Sequence, residues 1–156
     1  MPSKPETRLQ ELHLTLPAPP KPVAKYKTAV LVGNMLYVSG HGPIKTDGKL
    51  IAGRVGSDLT LEQGKDAARV TALAILATVR NTLGSLDKVK RLVKTFGMVN
   101  STADFKDQPQ VINGFSELMA EVFGDDNGVG ARSAVGHNAL PGNIPVEIEC
   151  IFEVSA

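Results

Sequence analysis

The sequence predicts an α+β domain: a single mixed β-sheet with two helices packed on one face, in the order β-β-(β)-α-β-α-β. Three observations lead there. Thr28–Val32 and Met35–Ser39 are apolar-rich runs separated only by Gly33-Asn34, the spacing of a tight hairpin. Thr60–Leu83 and the stretch from Pro109 to Gly124 repeat apolar residues with the period of a helix. The closing run alternates, with Val146, Ile148, Cys150, Phe152 and Val154 on one side and Glu147, Glu149, Ile151 and Glu153 on the other.

Taken in order, residues 1–25 form an extended, proline-rich N-terminal arm, and residues 26–156 form the domain. Pro17, Pro19, Pro20 and Pro22 fix φ and lack donors, which keeps the arm out of a ladder, while Arg8–His13 has room for a short helical turn with Leu9 and Leu12 on one side. After the hairpin, Thr46-Asp47-Gly48 turns Pro43-Ile44 back onto Leu50-Ile51, the optional short strand. Thr60 and Gln63 suit a capping box, and Gly84 is placed to close the helix. Its stripe of Ala67, Val70, Ala74 and Ala77 beside Leu73, Leu76 and Val79 faces a core, leaving Glu62, Lys65, Asp66, Arg69 and Arg80 wet. Arg91–Val99 carries apolar residues on both faces, which predicts an inner strand. Val111, Ile112, Phe115, Leu118, Met119, Val122 and Phe123 line the second helix, and Asp125–Gly128 reads as a polar turn.

The 156 residues fit one domain with a core of its own, and a net charge of +1 supplies no field for nucleic acid or an anionic membrane. The basic cluster Lys88, Lys90, Arg91 and Lys94 reads as a solvated face. Cys150 is the only cysteine and falls on the apolar side of the last strand, so it reads as core filler rather than a disulfide partner or a nucleophile. With no signal-like N-terminus and no membrane-length apolar run, the expected location is cytoplasmic. The histidines His13, His41 and His137 lack metal-ligand spacing, and Gly128-Val129-Gly130 leads into a strand-like run rather than a helix. Neither a metal nor a cofactor is implied. Scarce aromatics, 4% of the chain, argue against a base-stacking surface.

The segments Ala131–Gly136 and Val146–Val154 place one arginine, Arg132, near a row of carboxylates, across a loop containing Leu140-Pro141. An arginine that grips a carboxylate at two points, beside a carboxylate that moves a proton, is a minimal hydrolytic site. On pattern alone the same strand also reads as a solvated edge whose glutamates guard against aggregation.

Tyr26, then Gly33-Asn34-Met35 leading to Ser39-Gly40-x-x-Pro43, then Ala131-Arg132-Ser133, Leu140-Pro141 and Val146-Glu147-Ile148-Glu149 stand in one order across most of the chain. In these residues the chain resembles the Rid (reactive intermediate deaminase) or YjgF family. Leu16-Pro17, Val111-Ile112-Asn113-Gly114 and Ala131–Gly136 resemble a longer-chain subgroup.

The resemblance implies a chorismate-mutase-like homotrimer with clefts between subunits. There Arg132 would hold the carboxylate of a small substrate and Glu147 would position water. Tyr26 and Ser39 would line the pocket, joined by His41 and Ala134 at positions where relatives often carry Gln and Cys. The implied reaction is hydrolysis of 2-aminoacrylate-type enamines and imines to 2-keto acids and ammonia. Imines hydrolyse in water unaided, so orientation and a proton carrier suffice. Ala134 in place of a thiol leaves open a non-catalytic keto- or amino-acid binding protein. A ribonuclease is the third reading.

Overall fold

In a computed structural model the described residues run from 3 to 155. Five strands make one sheet: β1 (Ala29–Val32), β2 (Met35–His41), β3 (Val89–Asn100), β4 (Ala131–His137) and β5 (Val146–Val154), ordered β1-β2-β5-β3-β4. All neighbours are antiparallel except β3 and β4, so the sheet is mixed as expected. Gly33 takes φ 60° in the β1–β2 turn. The Pro43–Ile51 segment pairs through a single bridge, Ile44 with Leu50, and is too short to count as a strand.

β5 is central, not an edge. Its alternating residues Val146, Ile148, Cys150, Phe152 and Val154 are buried. Two helices, α2 (Leu61–Leu83) and α3 (Gln108–Phe123), cover that side. Thr60 and Gln63 close the capping box and Gly84 ends α2 in the left-handed region. The helices cross closely at Gly114, where any Cβ would overlap the backbone carbonyl of Lys65. Two of the residues expected to stay free on the wet side of α2 are paired with α3, Arg69 with Glu121 at 2.8 Å and Lys65 with Glu117 at 3.0 Å. Such exposed pairs contribute below about 1 kcal/mol each. The apolar contacts between, at about 1.5–3 kcal/mol per buried side chain, outweigh them.

A helix, α1 (Pro5–Glu11), interrupts the expected extended arm and starts three residues before the anticipated turn, because Pro5 suits the first helical position. Leu9 is buried under it, and Glu6 grips Arg80 of α2 through both oxygens while accepting from the Leu86 amide. Leu14 and Leu16 then pack against the core in extended chain. Asp125–Gly128 is a single helical turn, α4. Among the described residues no helix is long and apolar enough to cross a membrane.

Candidate functional site

β4 and β5 follow each other in sequence but β3 lies between them. The joining loop is pinned from β3: Asn100 donates to Asn143 Oδ1 at 3.1 Å and to the Ile144 carbonyl at 3.2 Å. Arg54 donates from Nε to Asn100 Oδ1 at 3.1 Å and from Nη2 to the Asn138 carbonyl. The register across β3 then decides which way each side chain points. Arg132 pairs with Thr95, and Thr95 with the buried Cys150, so Arg132 faces the helices. Glu147 and Val135 both pair with Met98 and point to the opposite, open face. Within one chain Arg132 and Glu147 do not meet.

On the covered side Arg132 is half-buried at the outermost strand, against α3. Its Nη1 donates to Asn113 Oδ1 at 2.8 Å and to Ser116 Oγ at 3.1 Å. Among the described residues, no acceptor serves its Nε or Nη2 and no carboxylate pairs with it. Arg132 lines a crevice of about 240 Å³ with Thr95, Asn113, Ser116 and Val129. Ala134, two residues along the strand, is on the same side, opposite Gly97 and against the core.

On the open side a cavity of about 570 Å³ is lined by Tyr37, Ser39, Phe96, Ser133, Glu149 and Ile151. Glu147 stands one pleat beyond Glu149 on this face. Burial pushes its carboxyl above the ordinary value, Glu149 adds to that, and His137 partly opposes it. A Cβ on Gly40 would come 2.9 Å from Glu147 Cδ, so a side chain there would push the carboxyl from its place over β2. Ser39 donates from Oγ to the Lys27 carbonyl at 2.6 Å, which brings the segment carrying the exposed Tyr26 beside β2. Ser39, Gly40 and Glu147 are thus brought together.

His41 departs from its expected place near the cleft. A β-bulge between Val38 and His41 inserts one residue, reverses the alternation and turns the ring inward. It is 5% exposed, held by the Ser39 carbonyl at 2.6 Å from Nδ1 and by Thr78 Oγ1 at 2.7 Å from Nε2. With Nδ1 donating to that carbonyl, Nε2 is left to accept from the threonine. Burial lowers its pKa, and the ring acts as a lock on the bulge. Cys150 is fully buried and its thiol is pushed far up by that burial, as suits core filler.

Sequence reasoning passed over Asn113, Ser116, Glu149, Ser133 and His137 as site residues. The available signal for the first two was two small polar residues one helical turn apart among the apolar positions of α3. The others needed the strand order.

Residues 6–152 match the family model described as "YjgF/chorismate mutase-like, putative endoribonuclease". Protein TCP17 of Trypanosoma cruzi is 40% identical over 147 residues, covering 94% of this chain and 92% of that protein. The crystal structure of Atu1372 from Agrobacterium tumefaciens, a protein of unknown function, is 42% identical with a TM-score of 0.88, over 97% of this chain and 92% of that one. RidA from the Antarctic bacterium Psychrobacter sp. PAMC 21119 is 27% identical with a TM-score of 0.62, over 88% and 94%. With the mixed five-stranded sheet, the covering helices and a match across nearly its whole length, the chain belongs to the YjgF family.

Proposed function

We propose that the protein hydrolyses small reactive 2-enamine or 2-imine acids to 2-keto acids and ammonia, at a site shared between copies of the chain. The observation that carries this reading is the open Nε–Nη2 edge of a half-buried Arg132, a preformed fork for a carboxylate. Its kinship with RidA supports the same chemistry. Arg132 and Glu147 point from opposite faces of one sheet, so one substrate reaches both only when a second copy supplies one of them. The exposed apolar side chains Val30, Tyr37 and Val135 give the open face material for such an assembly, a homotrimer by resemblance.

In this reading Arg132 holds the substrate carboxylate and fixes C2 of the imine. Ionised Glu147 takes a proton from water as its oxygen bonds to C2. That proton passes to nitrogen as the C=N π bond opens, giving a carbinolamine. Its hydroxyl proton is then carried to nitrogen, the C=O forms as the C–N bond breaks, and ammonia leaves a 2-keto acid. Desolvation keeps Glu147 a stronger base than a free carboxylate, which suits it to this transfer. Ser39 and Tyr26 supply hydroxyls at the rim, His41 holds the Ser39 carbonyl from beneath, and Ala134 leaves space without a thiol.

Ammonia release from enzymatically generated 2-aminoacrylate tests the reading. Turnover above the uncatalysed rate that disappears in Arg132→Ala is expected; a background rate in the wild type contradicts it. The missing thiol at Ala134 favours a second reading, a keto- or amino-acid binding protein, which predicts thermal stabilisation by pyruvate without turnover. Ribonuclease chemistry is disfavoured because Glu147 and Glu149, both on the open face, repel phosphate.

A further inference from the structure

We propose that Asn113 and Ser116 of α3 are positioning residues that aim Arg132, leaving its Nε–Nη2 edge as the one complete two-point contact for a substrate carboxylate. The proposal rests on the reading of Arg132 as carboxylate holder. A guanidinium offers two bidentate edges, Nη1–Nη2 at its end and Nε–Nη2 at its side. Nη1 carries two hydrogens, and Asn113 Oδ1 and Ser116 Oγ accept from it at 2.8 and 3.1 Å. The end-on edge is therefore half consumed and the side-on edge is whole.

Both acceptors are neutral. A carboxylate at either position would neutralise the cation and compete with substrate, whereas an amide oxygen and a hydroxyl hold the plane of the group and leave its charge available. They stand three residues apart on α3, one helical turn, on the side facing β4, so the helix presents them as a pair. α3 is itself rigidly seated, through the close crossing at Gly114 and the packing of Ile112 against Gly97 of β3. Rotamer freedom that a free arginine would lose on binding is already lost here, which favours affinity for the acid. The neighbouring crevice of about 240 Å³ suits a short-chain acid.

The test is an NMR titration of the full-length protein with pyruvate, with neutral pyruvamide as the control. Wild type, Arg132→Ala, Asn113→Ala/Ser116→Ala, the triple variant and Ser116→Thr are compared. We expect Arg132→Ala to lose pyruvate binding and the double variant to bind about tenfold more weakly, as befits loss of hydrogen bonds to a charged group. Pyruvamide affinity should not move. Ser116→Thr keeps the hydroxyl and should bind like the wild type, which separates aiming from general damage to α3. In the triple variant the α3 changes should add nothing to Arg132→Ala, because they act through that residue. Wild-type affinity in the double variant, beside lost binding in Arg132→Ala, overturns the positioning role and leaves the carboxylate reading standing. Equal pyruvate binding by wild type and Arg132→Ala, or none by either, overturns both.

Discussion

On the helix-covered face of the sheet, the charged group Arg132 is held by two neutral acceptors, while on the open face the carboxyl of Glu147 stands half-buried beside Glu149 with no cation paired to it among the described residues. Glu153, on the same strand and face, does have cations near it, Lys90 and Arg91 at 3.9 Å. The covered face spends its polar groups on fixing a cation's direction. The open face leaves two carboxylates unneutralised, which raises the affinity of one for a proton. The two purposes fall on different elements, the cation on β4 against α3 and the carboxylates on β5, whose other side is core.

The comparison breaks most visibly at Phe152, fully buried on the covered face. Phe152→Ala should cost about 4 kcal/mol in urea unfolding, whereas Glu149→Gln on the open face should stay within about 0.5 kcal/mol. Similar losses at both positions would mean that the open face is as tightly built as the core.

Glu147→Gln sharpens the contrast further. An acid whose folded pKa lies above its unfolded value prefers the proton when folded, so its ionisation opposes folding as pH rises through that interval. Removing the charge should raise the melting temperature at pH 7, and the gain should vanish below about pH 4, where the carboxyl is protonated in both states. Turnover of 2-aminoacrylate should fall at least about a hundredfold in the same variant. A melting temperature unchanged at pH 7 would show that Glu147 is not desolvated.

The smallest expected effect is kinetic. Burial is the main cause of the raised Glu147 pKa and Glu149 the next, so Glu149→Gln should move the acidic limb of the pH–rate profile to lower pH without abolishing it. A limb that stays in place would separate that limb from Glu147.

Much of this was legible in the residues. The hairpin at Gly33-Asn34, the capped helix from Leu61 and the alternation of Val146–Val154 are local signals, and the structure follows them. What local pattern does not carry is adjacency. The loop after His137 carries the chain across β3, so two segments neighbouring in sequence become an outer and a central strand with their key residues on opposite faces. His41 escaped for a related reason: period two puts it outward, and one inserted residue at the bulge reverses it. Asn113 and Ser116 carry no motif of their own, and their part is visible only once Arg132 is seen against α3.

Subunit complementation tests most directly whether the site joins Arg132 of one copy to Glu147 of another. Arg132→Ala and Glu147→Gln chains, each inactive alone, are co-refolded in equal amounts and assayed for ammonia release from 2-aminoacrylate. A shared site predicts recovery of about a quarter of wild-type activity, the fraction of random interfaces at which both intact residues meet. A mixture as inactive as its parents would contradict it.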